Sequence, residues 1–429
     1  MDVPMSPDAG SRTLGAGPDS TRIAHDWDPM APPLRPEAFD LQDKLWALHC
    51  AEGPLPRASA QVVRELLEKE LRPWEMDWNG EALGHPARAR RAAAAMVGGD
   101  EADISLAGST SAGLQAVAQG LPWQAGDEVL LPRGEFPSNY YPWKALASRG
   151  VTVREVRLFS GHRSGQEALA SAAPGVESDS EARILASLSR KTKVLALSWV
   201  RFQDGLRLDL ARLGQACQER GVHLVVDGIQ GAGVQLPDLR WASAFACGSH
   251  KGLLTPQGYG FLWTSKAFRE QLCPLGTWLG VEDGNRFDRP STDFHRDWLK
   301  DGRALEPGGP AVLAAAAFAT SMELLLEAGL ERLGAHVHAL QGRFLEGLAE
   351  LPDWRAEALR LEHLRVAGRL GPFLALHHRG EDDAGLLELM RRGLRHGIFT
   401  SVREGYLRIA FHGWHTAADV ERLLAWIRG

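Results

Sequence analysis

Apolar and polar positions alternate along the chain in a regular succession of short apolar runs and longer amphipathic stretches. Runs rich in β-branched residues predict strands over 103–107, 128–131, 151–158, 194–199 and 222–226, with two more ending near 247 and spanning 260–263. Between them, apolar residues at helical spacing predict helices over 59–70, 86–97, 114–120, 175–188 and 209–220. In the first of these Val62, Val63, Leu66 and Leu67 share a face, and Ser59 is a suitable N-cap. Strands alternating with helices at this spacing predict an α/β fold with a doubly wound, mainly parallel sheet. Beyond residue 310 the pattern changes. Two helices over 311–327 and 330–350 precede a small α/β unit with strands over 373–377 and 406–411 and helices over 382–395 and 417–427.

These shifts divide the chain into an extension (1–36), a joining segment (37–60), a large domain (61–310) and a small C-terminal α/β domain (311–429). The extension is rich in Pro, Gly, Ser and Asp, has almost no apolar periodicity, and is expected to be flexible. At 429 residues the chain exceeds one typical core, which fits two domains. An apolar content of 44% with 24% charged residues is that of a soluble globular protein. The net charge of -6 gives no electrostatic case for nucleic acid. Cys50, Cys217, Cys247 and Cys273 are scattered, with no C-x-x-C spacing, so no metal site is expected and reduced thiols in a cytoplasmic location are. No apolar run is long enough for a membrane span, and no basic-then-apolar leader is present at the start.

One stretch carries chemistry. Val225-Val226 runs into Asp227, Gln230 follows three residues on, and further along the chain reads Gly248-Ser249-His250-Lys251. An acid ending a buried strand sits where open parallel sheets place ligands, outside the carboxyl ends of the strands. A lysine preceded by the apolar run Phe245-Ala246-Cys247 is desolvated, which lowers its pKa and favours the neutral amine that forms Schiff bases. An acid for a pyridinium nitrogen and a lysine for an aldehyde are the two parts that pyridoxal phosphate needs.

With Asp227-x-x-Gln230, His250-Lys251 and the glycine-rich Gln257-Gly258-Tyr259-Gly260-Phe261, the chain from about Phe39 onward resembles the class V aminotransferase-like pyridoxal-phosphate enzymes. That family includes cysteine desulfurases, isopenicillin N epimerase and related C–S lyases. The resemblance implies fold type I, with a mainly parallel seven-stranded sheet in the large domain, and pyridoxal 5'-phosphate as cofactor. Lys251, Asp227 and His250 become the catalytic candidates. Asp227 would hold the ring nitrogen and Gln230 the phenolic oxygen. Phe136, which stands where the desulfurases carry a histidine, would stack on the ring without shuttling a proton. Thr110 and Ser111 match the two hydroxyls of the phosphate loop, at a helix N-terminus suited to an anion. Ser249 and His250 complete the cofactor candidates.

For the substrate, an amino acid or amino-acid derivative, Arg408 in Tyr406-Leu407-Arg408-Ile409-Ala410-Phe411 matches the arginine that grips the α-carboxylate; the bland alternative is a structural ion pair. His49, Trp199 and Arg201 are further candidates, His49 alternatively a packing residue and Arg201 a surface charge. The segment Glu306-Pro307-Gly308-Gly309-Pro310 resembles one whose threonine reaches the other subunit's phosphate, which implies a homodimer with composite active sites. Gly309 offers no such side chain, and Gly248 replaces the family's serine. No cysteine occurs over 397–406, so a persulfide-forming desulfurase is not expected. The pattern is most like the isopenicillin N epimerase-like branch of lyases, epimerases and aminotransferases. A C–S lyase acting by β-elimination, or a cofactor-binding descendant without catalysis, are the alternatives.

Overall fold

The computed structural model describes residues 27–158, 179–309, 311–377 and 383–429. Residues 1–26 of the expected extension, 175–178 of the helix expected over 175–188, Pro310 and residue 382 lie outside them. The strands, in chain order, are β1 (Leu45–Trp46), β2 (Ile104–Ala107), β3 (Glu128–Pro132), β4 (Thr152–Val156), β5 (Thr192–Ser198), β6 (His223–Asp227), β7 (Ala244–Gly248), β8 (Gly260–Thr264), β9 (Phe373–Leu376), β10 (Ile398–Phe399), β11 (Ser401–Arg403) and β12 (Tyr406–Ala410).

Seven of them form one sheet in the order β2-β8-β7-β6-β5-β3-β4. All neighbours are parallel except β8, which runs antiparallel to both β2 and β7. β5, β7 and β8 read as nearly unbroken apolar runs because both faces of the sheet are covered. Successive residues point to opposite faces, so one strand feeds two cores. Leu195, Leu197, Val226, Phe245 and Phe261 belong to one core, which includes Phe318 of the helix Val312–Ala328. Val194, Ala196, Val225, Ala246 and Leu262 belong to the other, which includes Leu114 and Val117 of the helix Thr110–Gly120.

A second, antiparallel sheet of order β11-β12-β9 gathers the C-terminal strands. The segment around Leu45 reaches it: β1 pairs in parallel with β10, Leu45 opposite Ile398, and Ala410 N–H donates to the Ala47 carbonyl at 2.9 Å. No single helix among the described residues is long and apolar enough to cross a membrane.

Several expected starts move. The first amphipathic helix is Arg57–Glu70, preceded by an extended Pro56, and Ser59 is not its cap. The Ser59 hydroxyl is buried against Ser321 Oγ at 2.8 Å. The next helix begins at Gly84 instead of Pro86, with the proline inside its first turn, where a missing N–H costs nothing. The helix expected over 114–120 starts four residues earlier, at Thr110, capped by Ser109, whose Oγ accepts from Ala112 N–H at 3.1 Å.

Candidate active site

The carboxyl ends of β5 and β6 stop together, Ser198 opposite Asp227 and Asp227 opposite Ala246 in β7. The chain beyond them lines a cavity with Asp227, Gln230, His250 and Lys251 in its wall. Thr110 and Ser111 enter from the helix N-terminus, Phe136 from the turn after β3, and Arg408 from β12.

Asp227 is 3% exposed, and its Oδ1 accepts from Ile229 N–H at 3.0 Å. Burial pushes its carboxyl up to about 7, against the opposing pull of the Ile229 N–H and the Lys251 charge. Burial lowers the Lys251 ammonium, which Asp227 only partly offsets. Each group is thus drawn away from its usual charge state, as buried acids and bases at functional sites are. The Lys251 Nζ lies 5.7 Å from the centre of the Phe136 ring. That ring is fixed by an edge contact with Phe202, 5.2 Å between centroids at 78°.

Close backbone approach explains two glycines. A Cβ on Gly248 would come within 3.2 Å of Thr110 Oγ1, the atom that accepts from Gly248 N–H at 2.8 Å. The serine expected from the family would fit here only if Ile229 and Thr110 gave way by a few tenths of an ångström. A Cβ on Gly53 would fall 2.2 Å from the Lys251 carbonyl, and Gly53 N–H donates to the His250 carbonyl at 2.7 Å. The segment after β1 is therefore laid directly on the backbone that carries the lysine.

The donor set fits pyridoxal phosphate. Gln230 donates Nε2 to the Cys50 carbonyl at 3.1 Å, while its buried Oε1 has no partner, an unmet polar atom at the cavity wall. The N–H groups of Thr110 and Ser111 at the helix start have no acceptor among the described residues, which is the form of an anion site. In the same cavity wall Arg408 donates Nε to Ser401 Oγ (3.0 Å) and Nη1 to the Phe202 carbonyl (3.2 Å), not to an acid. The expected alternative of a structural ion pair is not what the arginine makes. His250 is half-buried; burial and then Lys251 hold its ring below the usual imidazole range.

Four expected site residues stand elsewhere. Ser249 is fully buried and donates its hydroxyl to the Tyr259 carbonyl at 2.7 Å, which closes the turn instead of facing the cavity. Trp199 packs beneath the Asp227 turn, its ring against Phe245 and Gly231. Arg201 is folded back onto Asp204 at 3.0 Å and onto Gln203 by the tight turn joining Val200 to Arg207. His49 is buried at the edge of the His412 ring, 5.0 Å between centroids, and both its nitrogens lack a partner. Burial, followed by His412 and His415, keeps its imidazole well below the usual range.

The cavity also takes in Cys50, Ser138, Phe202 and Ile229, which were not singled out as site candidates, and Arg403, which the sequence offers after Arg408 as a further carboxylate-binding candidate. Cys50 was legible only as a scattered cysteine. Glu135, behind the cavity, accepts from Ser198 N–H at 2.9 Å and from Asn139 Nδ2 at 3.1 Å, and burial raises its carboxyl. No pattern in the residues around it signals that role.

The family described as Aminotransferase class-V matches residues 77–423. Isopenicillin N epimerase of Streptomyces clavuligerus is 31% identical over 387 residues, 86% of this chain and 91% of that protein. A probable cysteine desulfurase of Vibrio cholerae is 28% identical over 70% of each chain. Among solved structures, the cystine C–S lyase C-DES in complex with its reaction product cysteine persulfide superposes with a TM-score of 0.75 at 20% identity, over 90% of this chain and 97% of that one. With an acid under a ring-sized cavity, a desolvated lysine beside it and a free helix N-terminus at one end, the chain belongs to the class V aminotransferase family, and it is a fold-type I, pyridoxal-phosphate-dependent enzyme.

Proposed function

We propose that this enzyme acts at the α- or β-carbon of an α-amino acid or amino-acid derivative, in the manner of the isopenicillin N epimerase-like branch, and that it is not a persulfide-forming desulfurase. The observation that carries the reading is that Asp227, Lys251 and Arg408 line one cavity, with the charges of Asp227 and Arg408 both acting on Lys251. The bound cofactor supplies an electron sink for a carbanion at the α-carbon. Asp227 keeps a proton on the ring nitrogen, Gln230 bonds the ring's phenolic oxygen, and Phe136 stacks on its face. Thr110, Ser111 and the helix N-terminus take the phosphate, with His250 beside them. Lys251 holds the cofactor, then removes or returns the proton at the substrate α-carbon. Arg408 binds the α-carboxylate through the N–H groups that Ser401 and Phe202 leave free.

Two facts speak against persulfide chemistry. The stretch 397–406 has no cysteine, and Cys50, which does line the cavity, has its thiol raised by burial, so the nucleophilic thiolate is scarce. β-Elimination uses the same residues and needs only a leaving group on the β-carbon. Incubating the holoenzyme with single amino acids, and following loss of chirality, pyruvate with ammonia, and keto acid, distinguishes epimerase, lyase and aminotransferase. Lys251→Ala is expected to abolish both turnover and borohydride-reducible cofactor with the fold intact by circular dichroism. Reducible cofactor retained in that variant would overturn the assignment.

We also infer a homodimer, with the large domain at 61–310 and the small domain at 311–429. Support comes from the exposed aromatics Trp78 and Trp278, each in contact with the exposed Phe287, and from Gly308 and Gly309, which face open space.

A further inference from the structure

Arg403 and Arg408 lie on the same face of the β11–β12 hairpin. Arg403 is directly opposite Tyr406, and Ser401 is directly opposite Arg408. Side chains two apart on a strand share a face, so Arg403 is the diagonal neighbour of Arg408, at roughly 7–8 Å between such positions. The hairpin is closed by Glu404 and Gly405, both with positive φ (53° and 83°), a two-residue turn that fixes this register. Both arginines line the same cavity.

Their occupancy differs. Arg408 has spent Nε on Ser401 and one N–H of Nη1 on Phe202, which leaves one fork, enough for a single carboxylate. Arg403 is exposed, and its side chain has no hydrogen bond or ion pair among the described residues. Among the described residues, the only acid lining the cavity is Asp227. One α-carboxylate therefore satisfies Arg408 and leaves a full cation at the mouth of the site.

We propose that Arg403 is a specificity-determining residue that binds a second carboxylate, so that the preferred substrates are dicarboxylic α-amino acids. This deepens the reading of Arg408 as the α-carboxylate site and rests on it. Binding is read from the change in cofactor absorbance of the holoenzyme, titrated with glutamate against glutamine and aspartate against asparagine. In the wild-type enzyme the acid of the better pair binds about ten-fold more tightly than its amide at low salt, and the ratio shrinks as salt screens an exposed cation. Arg403→Ala brings the ratio to within about two-fold by weakening the acid alone, and Arg403→Lys keeps part of it, because the charge remains while the fork is lost. Arg408→Ala weakens acid and amide alike. Equal affinity for acid and amide in the wild type overturns the proposal, as does an Arg403→Ala variant that weakens both equally or that loses cofactor. Absence of any spectral response to all four amino acids overturns the amino-acid reading of the site itself, and this proposal with it.

Discussion

A carboxyl held at a pKa of about 7 against an ordinary 3.8 binds its proton more tightly in the folded chain than in the unfolded one. The contribution of Asp227 to the stability of the cofactor-free protein is therefore fully present below about pH 4 and is lost as pH rises through about 7. The span corresponds to about 4 kcal/mol at most. Urea unfolding of the cofactor-free protein from pH 4 to 8 should show wild type losing stability relative to Asp227→Asn across that window; parallel curves would mean the acid is not buried as described. Arg408 gives a second test at this scale. Losing a charge-assisted, forked contact costs on the order of 2–4 kcal/mol, so Arg408→Ala should lower kcat/KM by roughly thirty- to a thousand-fold, with Arg408→Lys rescuing little. The cofactor spectrum should barely move in either variant, and unchanged kcat/KM in both would place the carboxylate elsewhere. Asp227, Lys251 and Arg408 were legible because a strand end, a desolvating run and a motif each constrain where a side chain must go. Trp199, Arg201 and His49 were not. Nearness to a strand end says that a residue is close to a site, but the turn that follows decides which way it points, and Arg201 had Asp204 three residues on to fold back upon.

Among the elements, most long periodic ones could be read almost to their ends, but the helix Arg355–Val366 was not expected, and β1, β10 and β11, of two or three residues, carry no periodicity to read. Their pairing is a tertiary fact: β1 finds β10 from the opposite part of the chain. Helix starts shifted for a local reason, since Ser109 rather than a later residue supplied the cap that β2 leads into. The contact of the β1 segment with Lys251 offers a measurable consequence. Because a Cβ at Gly53 would sit 2.2 Å from the Lys251 carbonyl oxygen, Gly53→Ala must push the segment or the lysine aside. Strain of this kind costs about 1–3 kcal/mol. A lower melting temperature together with weaker cofactor retention on dialysis is expected, and an unaffected variant on both counts would show that the two backbones are not packed as closely as described.

The whole molecule presents Trp74, at 79% exposed, and Phe294, at 84%, as well as the exposed Trp78, Trp278 and Phe287. Such a surface is costly to leave in water and fits burial against a second copy. Light scattering at working concentration should give twice the mass of the 46.8 kDa chain. Mixing subunits inactivated at Lys251 with subunits inactivated by substitution in the segment 306–309 should restore part of the activity; a monomer by scattering would remove the composite-site reading.

The pairing of β1 with β10 also bears on how the protein is made. Leu34 bonds to Gly413, Leu45 to Gly397 and Ala47 to both Phe399 and Ala410, so these residues find their partners in a stretch synthesised well after them. Translation at about 5–20 residues per second separates these partners by roughly twenty to seventy seconds. During that interval the strands of the central sheet, all within residues 104–264, can assemble and bury their cores. The stretch around His49 and Gly53 has no neighbouring strand to join until residues 397–413 leave the ribosome. The strand pairing that holds this segment over the backbone of Lys251 therefore becomes available only after the strands that carry the lysine have been made.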